Sequence, residues 1–300
     1  MGGRPLDGAV RELAGLSWNA ARAAVRSGKI TLDGEVALDP SSPVRTGEVL
    51  AIEPAAPKPR TRAIAGLASS ALVHLDGAVA VVRKPPGIST VPFGDEAPGE
   101  ELRTLDALVR EVLARKTSFR GRAPLGVVHR LDKDTSGLIV FTRTIAAKKH
   151  LAQQFREHTV KREYLALVHG RLDEARTIKS YLLPDRGDGL RGSARFRQME
   201  GQVAITHVRP VRFFPGATLV ACRLQTGRTH QIRIHLAEAG HMLVGEPVYV
   251  RDHRGPRLAA PRVMLHAREL GFVHPTTDEE VLFTDDPPED FTAVLESLGR

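Results

Sequence analysis

Cysteine is almost absent from this chain of 300 residues, which contains only Cys222. One thiol excludes a disulfide framework and a multi-cysteine zinc site, so we predict that Cys222 is packed in a strand without a chemical role. No apolar run approaches the roughly 20 residues that cross a bilayer, and the N-terminal sequence lacks the apolar segment of a signal peptide. We therefore expect a cytoplasmic protein.

Aromatic residues are also scarce, at 5% of the chain, so recognition of a nucleic acid would depend more on charge and shape than on base stacking. The formal net charge is +8, and the acidic residues are concentrated towards the C-terminus. Residues 275–300 hold eight acids and one arginine, which leaves the first 274 residues with 42 bases against 27 acids, or +15. Such a body attracts polyanions through counterion release. Nucleic acid is the first partner that this predicts, and an acidic membrane surface is the second.

Residues 1–53 have the pattern of a small separate module. Three apolar residues at helical spacing predict a first helix: Leu6, Val10 and Leu13. Ser17 is placed to cap a second helix at 18–27, which Gly28 ends. The dipeptide Asp33-Gly34 then predicts a two-residue hairpin turn between short strands.

A stretch rich in proline and arginine follows this module and reads PAAPKPRTR from Pro54 to Arg62. It has no periodicity, as is typical of a semi-stiff linker. We therefore predict three parts: a small domain at 1–53, a linker at 54–71 and a larger domain at 72–300. Because 42% of the residues are hydrophobic, the larger domain has ample material for a core.

The pattern SxxxARxxVRxGxIxLDG at residues 17–34 resembles the RNA-binding module named after the fourth protein of the small ribosomal subunit. The sequence GEVL at 47–50 extends the resemblance. It implies a small α-L RNA-binding domain in which Arg22, Arg26 and Lys29 face the RNA. The alternative for these three cations is a solvated basic face.

The most chemically suggestive stretch lies at residues 126–143 and reads GVVHRLDKDTSGLIVFTR. Two short apolar segments flank a polar connection, which is where a scaffold displays reactive side chains. Asp132 lies in this connection between Arg130 and Lys133, so it should stay ionised and be able to act as a nucleophile or base. On this pattern alone, a surface turn with solvated charges remains the alternative.

Two further segments place polar residues in predicted helices or strands. In TGRTHQIRIH at 226–235, Thr229 can cap a short helix. The histidines at 230, 235 and 241 suit neither one helix face nor alternate strand positions, so we expect no metal site. In KREYLALV at 161–168, Tyr164 lies in a predicted strand, where a tyrosine ordinarily only packs.

The sequences HRLDKDTSGL at 129–138 and TGRTHQIRxHL at 226–236 resemble motifs of the RluA-type pseudouridine synthases, which isomerise uridine in ribosomal and transfer RNA. The pattern KxxYxAxVxG at 161–170 matches a third motif in the family's order. The resemblance implies an α+β protein with the pseudouridine synthase fold, in which helices flank a large mixed, mainly antiparallel sheet. Two predicted strands, at 203–214 and 217–224, indicate the same fold class. The implied reaction needs no cofactor and no metal.

The same resemblance implies roles for individual residues. Asp132 is the expected catalytic residue, Arg233 pairs with it, and Tyr164 stacks on the target uracil. Five further residues of these motifs are expected to bind the substrate: His129, Arg130, Lys161, Arg228 and His230. Arg130 would hold a phosphate or fill the space that the flipped base leaves.

Two positions depart from the family's pattern. The first family motif, KPxG, begins at Lys84, but Val91 precedes Pro92 where the family commonly has a histidine. We therefore assign Lys84 only a structural or peripheral role. Gly245-Glu246 stands where the family usually has Gly-Asp, which weakens any claim for Glu246.

The expected partner is RNA, with large-subunit ribosomal RNA first and transfer RNA second, bound by a monomer that needs no membrane. Two other functions stay open. A non-catalytic RNA-binding or ribosome-assembly protein would need only the basic body and the N-terminal module. A metal-dependent nuclease would use Asp132 and Asp134, and chelation would abolish its activity but not that of an isomerase.

Overall fold

The structure is a computed structural model that describes residues 4–38, 40, 42–44, 46–56, 66–92, 104–117, 124–186, 190–194, 201–251 and 253–299. Residues 57–65 of the predicted linker lie outside these ranges, and the three-part division of the chain stays a prediction. Within the described ranges, no helix combines the length and the apolar character that a membrane span requires.

The N-terminal part contains two helices and two small sheets. Its elements are β1 (Arg4–Pro5), α1 (Leu6–Ala14), α2 (Trp18–Arg26), β2 (Ile30–Leu32), β3 (Glu35–Val36), β4 (Pro43–Val44) and β5 (Leu50–Ile52). Oγ of Ser17 accepts a hydrogen bond from the Ala20 N–H and caps α2 as predicted. Asp33 and Gly34 have positive φ angles of 51° and 84°, as the β2–β3 hairpin turn requires. Leu13 departs from the prediction, because it is 64% exposed in the last turn of α1.

The larger part is built on one sheet of 11 strands. Its elements are β6 (Leu72–Leu75), β7 (Val79–Lys84), α3 (Leu105–Thr117), β8 (Gly126–Val127), β9 (Ser136–Thr142), α4 (Ile145–Arg156), β10 (Lys161–His169), β11 (Arg176–Leu183), β12 (Gly192–Ser193), β13 (Gln202–Phe214), β14 (Ala217–Leu224), α5 (Gln231–Glu238), β15 (Leu265–Val273), β16 (Glu280–Thr284) and α6 (Glu289–Leu298).

The strand order along this sheet is β12-β11-β13-β14-β10-β15-β9-β7-β6, with β16 paired to β15 and β8 paired to β9. The pairing of β15 with β9 is parallel, and the other pairings within the described residues are antiparallel. The predicted α+β class, with a mixed and mainly antiparallel sheet, is therefore confirmed. Because β15 inserts between β9 and β10, strands from distant parts of the chain become neighbours.

Helices cover both faces of the sheet, so β9 is buried along its whole length. Ile139 and Phe141 of this strand pack in the cluster that includes α3 and α5, whereas Leu138 and Val140 pack in the cluster that includes α4. The loop 128–135 connects β8 to β9. This loop therefore leads directly into β9, which is buried at every position and anchors the end of the loop.

Candidate active site

A cavity of about 330 Å³ lies between the 128–135 loop, β10 and the start of α5. Its volume is in the range of small-ligand sites. Seven of the residues predicted for catalysis or substrate binding line it: His129, Arg130, Asp132, Tyr164, Arg228, His230 and Arg233. The structure thus brings together three motifs that are far apart in the chain.

Asp132 lies on the wall of this cavity with a side chain that is 18% exposed. Its Oδ2 is 3.8 Å from Nη1 of Arg233, and its Oδ1 is 4.0 Å from Nε2 of His230. Burial raises the pKa of Asp132 above its ordinary value, while the charges of Arg233 and Arg130 oppose the rise. A carboxylate that lies near cations without a short hydrogen bond to them keeps its oxygens available to a substrate.

The closest partner of Arg233 is Glu246. Nε of Arg233 donates to Oε2 of Glu246, and Nη2 donates to Oε1, each at 2.7 Å. Glu246 is 0% exposed and also accepts hydrogen bonds from the backbone N–H groups of Val248 and Tyr249, at 2.8 and 3.3 Å. Although burial raises it, the pKa of Glu246 is held below its ordinary value by the hydrogen bonds and charge of Arg233. A bidentate pair fixes the plane of the guanidinium, so Glu246 positions Arg233 beside Asp132.

Sequence reasoning passed over Glu246, although its surroundings are specific. Gly245 has a φ of 77°, and a Cβ on it would lie 1.8 Å from the carbonyl oxygen of Arg262. Glycine is therefore required before Glu246. One sequence signal was present, since a single glycine separates Glu246 from the apolar run at 242–244, and a carboxylate close to buried residues needs a partner.

Lys84 holds the loop that carries Asp132. It is 0% exposed, and its Nζ donates to the carbonyl oxygens of Pro85, Lys133 and Thr135 at 3.0, 2.8 and 2.7 Å. Burial lowers the pKa of Lys84 to about 7. Because three carbonyl oxygens surround the amine, the ammonium form, with three N–H donors, satisfies them all. These contacts are structural, in keeping with the role that the sequence predicts.

His129 lines the cavity but supports the loop from within. Its Nε2 accepts a hydrogen bond from the backbone N–H of Val140 at 3.1 Å, and its ring stacks on Phe155 with centroids 4.5 Å apart. Burial, with the charge of Arg162, lowers the pKa of His129 to about 3. The neutral ring uses its Nε2 lone pair to hold the loop, and its role in substrate binding stays a prediction.

His230, with a φ of 58°, is the N-cap residue immediately before α5. The prediction that Thr229 caps this helix is wrong, because no side chain caps it. Instead, Oε1 of Gln231 accepts a hydrogen bond from the backbone N–H of Arg228 at 3.0 Å and closes the preceding loop. Nδ1 of His230 lies 2.8 Å from the hydroxyl of Tyr249, and burial lowers the pKa of His230 to about 3. His230 therefore faces Asp132 as a neutral imidazole.

Tyr164 is 7% exposed and belongs to the core cluster next to the cavity. Burial raises the pKa of Tyr164 to about 12; Arg162 opposes this rise and Asp132 adds to it. The phenol is therefore neutral at physiological pH. A neutral ring on a cavity wall is suited to stacking on a base.

Lys161 does not have the position that its predicted role in substrate binding requires. It is exposed and lies outside the cavity lining, and its Nζ donates to Oε2 of Glu280 at 2.8 Å. Side chains alternate along a strand, so the face of β10 that meets the cavity carries Arg162 and Tyr164 instead. Arg162 is 7% exposed, with its Cζ 5.4 Å from the centre of the Phe155 ring.

Arg22 does not face outward as predicted for the RNA-binding module. It is 7% exposed, its Nε donates to Oδ2 of Asp7 at 2.8 Å, and its Cζ lies 5.2 Å from the centre of the Trp18 ring. The physical reason is that α2 packs on α1, which turns Arg22 towards a carboxylate of α1. Arg26 is exposed and Lys29 is half-buried, so these two remain candidates for RNA contact.

Among the described residues, no group of three carboxylate or histidine ligands close enough to share a metal ion lines the cavity. In the part of the chain that the structure describes, one group could hold a metal ion, formed by His74, Asp76 and His274, and none of the three lines the cavity. Asp134, the second carboxylate of the nuclease alternative, is not in the cavity lining with Asp132. The donor set at the cavity therefore does not favour the nuclease.

Known proteins resemble this chain in both of its parts. A family model described as RNA pseudouridylate synthase matches residues 78–238, and one described as S4 domain matches residues 4–50. The ribosomal large subunit pseudouridine synthase D of Zymomonas mobilis is 36% identical over 239 residues, which are 76% of this chain and 72% of that protein. The protein of the same name from Xanthomonas campestris is 33% identical over 284 residues, which are 91% of this chain and 82% of that protein.

Among solved structures, human RNA pseudouridylate synthase domain containing 4 has a similar fold. Its TM-score is 0.63 at 22% identity, and the match covers 77% of this chain and 94% of that chain. At that identity the comparison bears on the fold, which it confirms.

Proposed function

The chain belongs to the RNA pseudouridylate synthase family, whose members are isomerases acting on RNA, and we propose that its own substrate is large-subunit ribosomal RNA. The relatives named for that RNA support this choice, and the S4 domain supports an RNA-binding role for the N-terminal part. The proposal includes action as a cytoplasmic monomer, without a metal or cofactor.

The observation that carries the proposal is the meeting of Asp132, Tyr164 and Arg233 in one cavity. Conversion of uridine to pseudouridine breaks the N-glycosidic bond, turns the base and rejoins it through carbon, so no atom or electron is gained or lost. Asp132 acts at the ribose, as a nucleophile or as a base. Tyr164 holds the detached base by its ring, and Arg233 favours the ionised form of Asp132.

Cations at the rim of the cavity support an RNA strand as the ligand. Arg130 and Arg156 are exposed there, and Arg228 is half-buried. These charges attract the phosphate backbone. The target base must leave its stack to reach Asp132, at a cost of a few kcal/mol unless it already lies in a loop.

The proposal is tested by mapping pseudouridine in total RNA from cells with and without this gene. We expect one or more positions of large-subunit ribosomal RNA to lose the modification in cells without it. Loss confined to transfer RNA would overturn the choice of RNA, and no loss in any RNA would overturn the enzymatic proposal. A chelator should leave the purified enzyme active, whereas a metal-dependent nuclease would lose activity.

Residues 1–53 are proposed to raise affinity and to select the RNA without contributing catalytic groups. Their deletion should raise the apparent KM and flatten the salt dependence, while the maximal rate on a short saturating RNA stays near that of the parent. A folded truncated protein without turnover at saturation would contradict this division of labour.

A further inference from the structure

Arg162 is a buried cation to which no described residue supplies a counter-charge. Three arginines of the described ranges are buried, and each is 7% exposed: Arg22, Arg162 and Arg233. Arg22 is paired with Asp7, and Arg233 is paired with Glu246. For Arg162, the described residues provide no hydrogen-bond acceptor, and its Nε is fully enclosed without a partner.

The position of this guanidinium is nevertheless well defined. The ring of Phe155 lies under it, 5.4 Å from Cζ. On another side, a Cβ on Gly227 would lie 2.5 Å from Nη1, so the guanidinium occupies space that a larger residue at 227 would fill. Arg162, Phe155 and Gly227 all line the cavity. The site is therefore shaped for a guanidinium, but among the described residues none accepts a hydrogen bond from its enclosed Nε.

An unpaired buried charge is unfavourable in the free protein. Burial lowers the pKa of Arg162, yet arginine stays charged at neutral pH because its ordinary pKa is so high. A ligand that enters the cavity would supply the counter-charge that the described residues lack. An anion fits this requirement, and a planar guanidinium binds phosphate oxygens through two parallel N–H groups.

The neighbours of Arg162 indicate which anion enters. Arg162 and Tyr164 lie two residues apart on the same face of β10, and Tyr164 is within electrostatic reach of both Arg162 and Asp132. The exposed side chains of Arg156 and His158 line the same cavity. A nucleotide with its ribose at Asp132 and its base on Tyr164 would thus carry its backbone past a second group of basic residues.

We propose that Arg162 binds a backbone phosphate directly next to the target uridine and thereby fixes the nucleotide in the cavity. This inference rests on the proposed function, since the phosphate belongs to the RNA that is modified. The uracil carbonyls are the competing acceptors. They carry no net charge and would leave the buried cation uncompensated.

The first test compares Arg162→Gln, Arg162→Lys and the control Arg212→Gln. Arg212 also lies over a phenylalanine ring, Phe214 at 4.8 Å, but it is exposed and is not part of the cavity lining. The probe is an RNA hairpin that contains the uridine identified by mapping. The glutamine variant should bind it roughly 10- to 100-fold more weakly, and the slope of log Kd against log salt should fall by about 1. Arg162→Lys should keep the slope, and Arg212→Gln should match the parent.

The second test places a neutral methylphosphonate at each linkage that flanks the target uridine, with 2′-O-methyl groups beside it in both the modified and control RNA. Wild-type protein should bind the RNA more weakly when one of the two linkages is neutral. Arg162→Gln, which already lacks the contact, should bind the RNA neutral at that linkage as well as it binds the control RNA. The phosphate contact would be overturned if the substitution Arg162→Gln and the neutral linkage weakened binding additively at both linkages. It would also be overturned if the salt slope of Arg162→Gln equalled that of the parent. An unchanged slope with a slower reaction would assign Arg162 to a uracil carbonyl instead.

Thermal melting separates this role from a structural one. Because no residue of the described ranges supplies a counter-charge to Arg162, Arg162→Gln should melt at or above the parent temperature, whereas Arg22→Gln should melt below it. A large loss of stability in Arg162→Gln would contradict the proposal. Product formation by the wild type is measured on the same hairpin. Its absence would count against the proposed function, whereas product with additive linkage effects would count against Arg162 alone.

Discussion

Replacement of Glu246 by glutamine should destabilise the protein and disturb Arg233 at the same time. Glu246 is 0% exposed, and both of its oxygens accept hydrogen bonds from Arg233 at 2.7 Å. Glutamine has nearly the same shape but no charge, and its amide NH₂ would face an arginine N–H group. Arg233 would keep only Asp132, at 3.8 Å, as a counter-charge.

The size of the effect follows from the burial of the pair. Removing one partner of a buried ion pair costs about 3–5 kcal/mol, because the other charge is left uncompensated. Glutamine keeps one oxygen for the backbone N–H of Val248, and Asp132 offsets part of the charge of Arg233. We therefore expect the lower end of that range, about 3 kcal/mol.

Urea unfolding at neutral pH measures this loss. With a slope of about 1–3 kcal/mol per molar urea, the midpoint of Glu246→Gln should fall by about 1–3 M. Glu246→Asp keeps the charge and should lose less. Glu280→Gln is the matched control, because it breaks an exposed ion pair in which Oε2 of Glu280 lies 2.8 Å from Nζ of Lys161. Its urea midpoint should equal that of the parent.

The pH dependence gives an independent check. The folded-state pKa of Glu246 lies below its unfolded value, so its stabilising contribution is present above the unfolded pKa and is lost as the pH falls through the folded pKa. The difference between parent and Glu246→Gln should therefore shrink on acidification. A midpoint that does not move at neutral pH, or a difference that does not depend on pH, would refute the assigned role of the pair.

Four further predictions concern the cavity and its loop. Asp132→Asn should keep the fold and the RNA affinity but lose uridine isomerisation, and activity within about tenfold of the parent, ~1.4 kcal/mol in barrier, would contradict its role. Because burial raises the pKa of Asp132, the kcat/KM of the parent should fall on acidification at a pH above about 4, the ordinary value for aspartate. Tyr164→Phe should keep RNA binding and most of the single-turnover rate, whereas Tyr164→Ala also loses a stacking face worth roughly 1–3 kcal/mol; equal and severe losses would indicate proton transfer instead. Lys84→Met should leave carbonyl oxygens of the loop unpaired and cost about 1–3 kcal/mol of stability for each oxygen that water cannot reach. The control Lys149→Met, at an exposed position of α4, should have the melting temperature of the parent. Equal melting temperatures for the two variants would contradict the loop-holding role of Lys84.

Several parts of the fold could be predicted from the sequence, because the interactions that form them are local. A serine side chain caps α2 within its own first turn, and Asp33-Gly34 closes a hairpin between adjacent strands. The strands β13 and β14 join through a two-residue turn in the same way. The three sequence motifs also contain most of the residues that line the cavity, because each motif is one short segment whose side chains reach the site together.

The neighbours of these side chains depended on tertiary structure. Lys84 reaches carbonyl oxygens about 50 positions further along the chain, and the sequence alone does not say which loop it meets. Lys161 and Arg162 have the same charge, but the pairing of β10 with β14 and β15 turns only Arg162 into the cavity. Arg22 lies at a helical position open to solvent in an isolated helix, and the packing of α2 on α1 buries it against a carboxylate.

The sequence by itself therefore determined the types of element, the order of the motifs and the residues available for chemistry, because propensity, turns and caps act over a few residues. Tertiary structure decided that Glu246 pairs with Arg233 and that Arg162 finds no counter-charge among the residues that the structure describes. Such pairings depend on which faces of distant strands and helices meet, and only the packing of the whole sheet with its helices determines where a buried charge finds a partner.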